Sequence, residues 1–108
     1  MPDLQTLIAD VIAFRDTRGW TGKNKPKDLA ISLILEAGEV LEHFQWKSDE
    51  DIKQYVVDHK EEISDELADV FIYLLTLSRD LGVDLIEASY RKMEKNAIKY
   101  PAPSDGTL

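Results

Sequence analysis

The sequence predicts an all-α protein with four main helices, and three observations lead to this prediction. Apolar residues recur at three- and four-residue spacing in four segments, which is typical of amphipathic helices. The strict alternation of a half-buried strand is not found. Gly19, Gly22, Pro26 and Gly82 fall outside or at the edges of the four apolar patterns, where helices end and loops begin. We therefore expect a helical bundle with its main helices at about residues 3–18, 28–46, 58–81 and 85–99.

The first predicted helix, residues 3–18, ends before Gly19, because glycine commonly follows the last turn of a helix. The next segment, WTGKNKPKD, combines glycine, asparagine and proline with three lysines, so it predicts a basic loop. Asp28, at the end of this segment, is predicted to cap the second helix.

The second predicted helix carries the stretch LAISLILEAGEVLEHFQW at residues 29–46. At about 100° per residue, Glu36 and Glu39 fall between two apolar stripes. We expect the broader stripe to pack into the core and the narrower one to face a second subunit. The broader stripe comprises Leu29, Leu33, Ala37, Val40, Leu41 and Phe44, and the narrower one Ile31 and Leu35.

The third main helix, residues 58–81, repeats this arrangement after a short helix predicted to begin near Ser48. Between its apolar stripes lie four acids, Glu62, Asp65, Glu66 and Asp69. Gly82 ends this helix and Asp84 caps the last one, whose inward residues are expected to be Ile86, Tyr90, Met93, Ala97 and Ile98. We expect one domain at residues 1–100 and a disordered tail at residues 101–108.

The acids of the second and third main helices predict a metal site. Residues three apart on a helix share a face, so Glu36 with Glu39, and Glu66 with Asp69, can each act as a two-armed clamp. If the two helices pack side by side, repulsion among the carboxylates demands protons or a cation. Carboxylate oxygens suit Mg²⁺, with Mn²⁺ as a substitute, better than zinc. The alternative is that these acids are ordinary solvated residues. His43, four residues after Glu39, is a candidate for the outer coordination shell.

The composition excludes several classes of protein. With 21 acidic and 13 basic residues the net charge is −8, so we expect no binding to a nucleic-acid polymer. The absence of cysteine excludes disulfides and thiol nucleophiles and favours a reducing, cytoplasmic setting. The first residues lack the basic start of a signal peptide, and no apolar run approaches the roughly 20 residues of a membrane span. No G-x-x-x-x-G-K-[ST] motif occurs, which argues against a P-loop kinase or ATPase.

Four blocks of the sequence carry a resemblance to a known family. They are FRDTRGW at 14–20, PKDLAISLILEAGEVLEHFQW at 26–46, DELADVFIYLLTLS at 65–78 and KMEKNAIKYP at 92–101. Together they cover nearly the whole chain, and they resemble the MazG-like nucleoside triphosphate pyrophosphohydrolases, particularly the dCTP-pyrophosphatase-like branch. The E-x-x-E and E-x-x-D pairs are specific because the flanking aromatic and lysine motifs accompany them.

The resemblance implies a helical bundle that assembles as a homodimer or as a homotetramer, a dimer of dimers. It implies Mg²⁺ held by Glu36, Glu39, Glu66 and Asp69. The implied reaction is hydrolysis of a nucleoside triphosphate to the monophosphate and pyrophosphate, in a house-cleaning enzyme that acts on dCTP-like or non-canonical deoxynucleotides. A further carboxylate is a candidate to orient or deprotonate the attacking water, namely Glu62 or Asp65.

The resemblance also implies substrate contacts. Trp20 and Trp46 match positions that read the base, although helix-end and core-edge packing are the alternatives for them. Lys92, Asn96, Lys99 and Tyr100 match the closing motif, whose side chains can meet the phosphates. In the loop, Lys27 keeps the family pattern W-x-x-F-H-x-P-[KR]-N, whereas Lys23, Asn24 and Asp28 depart from it, so the preferred base stays open. Asn24 still has the groups to hydrogen-bond a base edge.

Two other functions stay open at this point. One is a non-catalytic helical module whose apolar stripes bind another protein, and the other is a nucleotide sensor without catalysis. Binding of Mg²⁺ or Mn²⁺ would distinguish an enzyme from the interaction module. Identification of reaction products would distinguish an enzyme from the sensor.

Overall fold

The computed structural model describes residues 3–103, and within this range it contains five α-helices and no β-strand. The helices are α1 (Leu4–Thr17), α2 (Pro26–Glu42), α3 (Asp49–Asp58), α4 (Lys60–Asp80) and α5 (Leu85–Lys99). The all-α prediction is confirmed. The four predicted main helices correspond to α1, α2, α4 and α5, and the short helix predicted to begin near Ser48 is the ten-residue α3, which makes five helices in all. Of the predicted disordered tail, residues 101–103 have no regular secondary structure, and residues 104–108 lie outside the described range.

Side-chain caps and glycines define most helix ends. The N-cap residues of α1, α3 and α5 each accept, through the side chain, a hydrogen bond from the backbone N–H three residues further along. The donor–acceptor distances are 2.8 Å at Asp3, 3.2 Å at Ser48 and 3.1 Å at Asp84. Gly19 and Gly82 follow α1 and α4 with φ angles of 67° and 68°, which would strain any residue with a side chain. The predicted helix ends at these two glycines and the predicted cap at Asp84 are confirmed.

The prediction that Asp28 caps α2 is wrong. The helix begins at Pro26, whose fixed φ suits the first helical position, and Lys25 is the N-cap. Asp28 lies in the first turn, where its Oδ2 accepts a hydrogen bond from the Lys25 backbone N–H at 3.1 Å. At its other end α2 stops at Glu42, so Trp46 lies in a turn beyond the helix.

The pairing of α2 with α4 forms the centre of the fold. These two helices contact each other more extensively than any other pair, whereas α1 and α3 contact α4 to a smaller extent. The buried apolar side chains of the described range are Leu29 on α2 and Ile63 and Leu75 on α4. The radius of gyration is 17.6 Å, against about 13 Å expected of a compact domain of this length. The protomer is therefore extended and has a small core.

The predicted inward face of α5 is mostly exposed. Tyr90, Met93 and Ile98 are each more than half exposed, and Ala97 is exposed as well. The reason is that α5 makes little contact with the other helices, so no surface covers its apolar side. Ile86, near the start of the helix, is partly covered. The helix has the predicted amphipathic pattern, but little within residues 3–103 covers its apolar side.

The broader apolar stripe of α2 is only partly buried. Leu29 is 2% exposed, whereas Ala37 and Leu41 are exposed. The prediction that the whole stripe packs into the core is therefore wrong, because α4 covers one side of α2 and no other helix makes a comparable contact. Ile31 and Leu35, predicted to face a second subunit, are also exposed.

A buried arginine joins α1 to the end of α4. Arg15 Nη1 and Nη2 donate to the two carboxylate oxygens of Asp80 at 3.0 and 3.2 Å. The side chains are 9% and 24% exposed, respectively. Because a guanidinium and a carboxylate pair in this two-bond form only when they lie nearly in one plane, the contact fixes how α1 sits on α4.

Among the helices of residues 3–103, none combines the length and the apolar character that crossing a bilayer requires.

Candidate active site

Two carboxylates from α2 and two from α4 lie near one another where these helices pack. Glu36 and Glu39 are one turn apart on α2, and Glu66 and Asp69 are one turn apart on α4. Burial raises the pKa of Glu36 above its ordinary value of 4.5, and the carboxylates of Glu39, Asp69 and Glu66 raise it further. Charges act on one another in this way only at short range. The structure therefore brings the two predicted pairs together, and we call these four residues the acidic cluster.

One oxygen of the acidic cluster has no partner. Glu36 Oε2 is buried, and no hydrogen bond satisfies it within the described residues. A buried carboxylate oxygen in this state is unfavourable unless a proton or a cation completes it. A set of carboxylate oxygens suits a hard divalent cation. The residues present therefore fit the Mg²⁺ ion that the sequence predicts.

The acidic cluster is not a finished metal site as its side chains stand. In the described part of the chain, no three histidine or acidic side chains already lie together closely enough to hold one ion. The helices set the backbone positions of the four acids, and rotation of their side chains would have to complete a site.

His43 connects the acidic cluster to α3. It follows the last residue of α2 and is buried, and its Nε2 is hydrogen-bonded to Glu66 Oε2. Its Nδ1 is hydrogen-bonded to the hydroxyl of Tyr55 at 2.6 Å. Sequence spacing related His43 to Glu39 on the same helix, whereas the folded chain directs its ring to Glu66 on the neighbouring helix. The prediction that His43 supports the site stays a prediction, now with a different acid as its contact.

A cavity of about 790 Å³ opens beside the acidic cluster. Its wall comes from α1, the loop after it, α2 and α4, and Asp69 belongs to both the cavity and the cluster. Small-molecule sites in proteins have volumes of about 300–1,000 Å³, so a nucleotide would fit. The other side chains of its wall include Phe14, Trp20, Lys23, Asn24, Leu29, Ile72 and Tyr73.

Trp20 is held on one side and open on the other. Its ring packs edge-to-face against Phe14, with the ring centroids 5.7 Å apart. The guanidinium of Arg18 covers the Phe14 ring at 3.4 Å from its centroid. Trp20 itself is 47% exposed. Trp20 is therefore partly open beside the cavity, and its predicted role in reading the base stays a prediction.

The remaining predicted site residues do not line this cavity. Lys27 is exposed in the first turn of α2, and Glu62 and Asp65 are exposed on α4 close to Glu66 in sequence. Trp46 is 87% exposed in the turn after α2. The predicted phosphate contacts on and after α5 are also absent from the cavity wall, namely Lys92, Asn96, Lys99 and Tyr100. Within one protomer, Trp20, Asn24 and Asp69 are the predicted residues that meet at the cavity.

Sequence reasoning missed part of the cavity wall. Arg15 on α1 and Tyr73 on α4 both line it. A signal for Tyr73 was present, because it follows Asp69 by four residues and so lies on the same helix face. Arg15 carried no comparable signal, since its place depends on how α1 crosses α4.

Comparison with known proteins adds three findings. Residues 31–108 match the sequence model of the MazG-like family. The crystal structure of a pyrophosphatase from Archaeoglobus fulgidus matches with a TM-score of 0.87 and 42% identity, over 94% of each chain. The dCTP pyrophosphatase 1 proteins of Mus musculus and Homo sapiens are 38% and 36% identical over 103 and 104 residues. These two matches cover 94% of this chain but 59% of each relative, so the chain spans about three fifths of their length.

Proposed function

Because the chain belongs to the MazG-like family, we propose that it hydrolyses nucleoside triphosphates to monophosphates and pyrophosphate. The names of the Archaeoglobus pyrophosphatase and of the dCTP pyrophosphatase relatives support this reaction. The observation that carries the proposal is the buried oxygen of Glu36, which has no hydrogen-bond partner among residues 3–103, in an acidic cluster beside a nucleotide-sized cavity. The proposed substrates are dCTP and related or non-canonical deoxynucleotides, whose removal is a house-cleaning role.

The proposed cofactor is Mg²⁺, with Mn²⁺ as a substitute. Glu36, Glu39, Glu66 and Asp69 would hold it, because they supply oxygen donors from two facing helices. When bound, the ion would neutralise charge on the triphosphate and lower the pKa of a bound water. Without a cation, the same four acids in a chain of net charge −8 would repel a triphosphate.

The base is proposed to bind at Trp20 and Asn24, which both line the cavity. The indole supplies a flat apolar surface, and the amide of Asn24 supplies both a donor and an acceptor for a base edge. Asp69 lies in the same cavity and in the acidic cluster. The triphosphate would therefore extend from Trp20 towards the acids, and Lys27, three residues after Asn24, is proposed to contact it.

Glu62 or Asp65 is proposed to orient or deprotonate the attacking water. Both are exposed on α4, where Glu62 lies one turn before Glu66 and Asp65 one turn before Asp69. A carboxylate that is open to water can serve as a general base towards a water molecule. Comparison of kcat for Glu62→Gln and Asp65→Asn would choose between them.

The chain is proposed to act as a homodimer or homotetramer. The extended protomer and its exposed apolar side chains support this, since such surfaces are rare in monomers. Trp46 and the α5 residues Lys92, Asn96, Lys99 and Tyr100 are proposed to reach the substrate of a second copy, because none lines the cavity of its own protomer. Light scattering should give a dimer or tetramer, and a monomer would contradict this part of the proposal.

The reaction is tested by incubating the protein with a panel of deoxynucleoside triphosphates and Mg²⁺ and resolving the products. We expect dCTP to give dCMP and pyrophosphate. Glu66→Gln should abolish turnover while the circular dichroism spectrum stays helical. Glu50→Gln is the matched control, because that side chain is 85% exposed and lies outside the acidic cluster.

Other outcomes of this assay would contradict the proposal. Release of orthophosphate in place of pyrophosphate would assign a different reaction. Calorimetry without uptake of Mg²⁺ or Mn²⁺, with and without nucleotide, would favour the non-catalytic interaction module. Nucleotide binding without any product would favour the sensor.

A further inference from the structure

We propose that His43 and Tyr55 are positioning residues for Glu66, an inference that rests on the proposed function of Glu66 as a metal ligand. The Tyr55 hydroxyl is hydrogen-bonded to His43 Nδ1 at 2.6 Å, and His43 Nε2 is hydrogen-bonded to Glu66 Oε2. The three side chains come from α3, the end of α2 and α4. This hydrogen-bonded chain therefore fixes the carboxylate of Glu66 relative to two other helices.

A neutral imidazole with its proton on Nε2 satisfies both bonds. In this form Nε2–H donates to the carboxylate of Glu66, and Nδ1 accepts from the hydroxyl of Tyr55. A carboxylate has two oxygens, so Oε1 of Glu66 is left to bind a cation. Hydrogen bonds to the ligands of a metal hold their orientation and tune their basicity.

Burial makes this hydrogen-bonded chain rigid. The side chains of His43 and Glu66 are 9% and 26% exposed, so water competes little for their polar atoms. Tyr55 is held in turn by His59, whose ring stacks on it with the centroids 3.9 Å apart. His59 Nδ1 is also hydrogen-bonded to the Tyr55 carbonyl oxygen at 3.1 Å. The hydroxyl of Tyr55 is thus placed before any ligand binds.

The two helices of the acidic cluster are therefore prepared differently. Glu66 on α4 is oriented by His43, whereas Glu36 Oε2 on α2 is buried and has no hydrogen-bond partner in the described part of the chain. A carboxylate already in place loses less rotational freedom on binding an ion. His43 and Tyr55 should therefore contribute to metal affinity although neither would touch the metal.

The test measures Mn²⁺ affinity of the full chain by calorimetry, with the Mg²⁺ concentration for half-maximal turnover as a second measurement. His43→Leu removes both hydrogen bonds and should weaken Mn²⁺ binding by about 10- to 100-fold. His43→Gln keeps an N–H donor on a side chain of similar reach and should recover most of this loss. Tyr55→Phe removes only the hydroxyl and should give a smaller loss than His43→Leu.

Lys53→Gln is the matched control, because this α3 side chain is 76% exposed and forms its ion pair with Glu50, outside the acidic cluster. Its Mn²⁺ affinity should equal that of the wild type. Thermal unfolding in EDTA shows which variants fold. If His43→Leu does not fold, the Mn²⁺ affinities of Tyr55→Phe and His43→Gln test the proposal in its place.

Three results would overturn the proposal: wild-type affinity in folded His43→Leu, wild-type affinity in Tyr55→Phe, or equal losses in the Leu and Gln variants of His43. A wild-type protein that takes up no metal would instead contradict the proposed function itself.

Discussion

Replacement of Trp20 by alanine should weaken nucleotide binding by about 1–2 kcal/mol. An aromatic side chain that stacks on a base contributes roughly 1–3 kcal/mol. Phe14 already covers one side of the indole, and 47% of Trp20 is exposed, so a base can cover only part of the ring. We therefore expect a loss in the lower part of the roughly 1–3 kcal/mol range. A loss of about 1–2 kcal/mol corresponds to an increase in Kd of about 5- to 30-fold.

Tryptophan fluorescence provides a direct assay of this contact. The chain has two tryptophans, so Trp46→Phe leaves Trp20 as the sole reporter. Titration with a non-hydrolysable α,β-imido analogue of dCTP in Mg²⁺ should then quench the emission as the base covers the indole. Calorimetry with the same analogue gives the Kd of Trp20→Ala, which has no signal at this position.

A matched variant separates stacking from simple packing. Trp20→Phe keeps an aromatic face of smaller area and should lose less affinity than Trp20→Ala. A folded Trp20→Ala protein with the wild-type Kd would refute the assignment of the base to this cavity.

Two further predictions concern stability. Glu36→Gln should change how the stability of the metal-free protein depends on pH. The unfolded chain releases the Glu36 proton near pH 4.5, whereas the folded protein keeps it to a higher pH because the pKa is raised. The free energy of unfolding of the wild type should therefore fall as the pH rises from about 4.5 through the raised pKa. Thermal unfolding in EDTA at several pH values should show a flatter curve for the variant, and parallel curves would contradict the prediction. Asp80→Asn should lower the free energy of unfolding by about 2 kcal/mol, because it leaves the buried guanidinium of Arg15 without a charged partner. The partial exposure of Asp80 to water keeps the loss from being larger. Urea unfolding at one protein concentration measures it, and an unchanged midpoint would contradict it.

Features that depend on neighbouring residues in sequence were predictable. The two acid pairs follow from three-residue spacing on a helix, and Gly19, Gly82 and Asp84 define helix ends by local backbone chemistry. The start of α2 was misplaced because aspartate is a strong N-cap residue, whereas Pro26 with its fixed φ begins the helix two residues earlier. In that case one local signal outweighed another.

Features that depend on how helices meet were not predictable. The spacing of apolar residues on α5 indicates that one face of the helix is apolar, but it does not identify what covers that face. Within the protomer, Met93 on this face is exposed. The cavity forms where α1 and the following loop approach α4, residues far apart in sequence. His43 bonds to Glu66, 23 positions along the chain, which no helical spacing relates.

The contact between Arg15 and Asp80 links the wall of the cavity to a residue that lies outside it. Arg15 binds α4 through its side chain, and its carbonyl oxygen accepts a hydrogen bond from the Trp20 backbone N–H at 3.0 Å. The indole therefore moves with α1, and Asp80, which does not line the cavity, sets where α1 rests. Substitution at residue 80 would therefore shift the indole, and with it the proposed base contact, while every residue of the acidic cluster is kept.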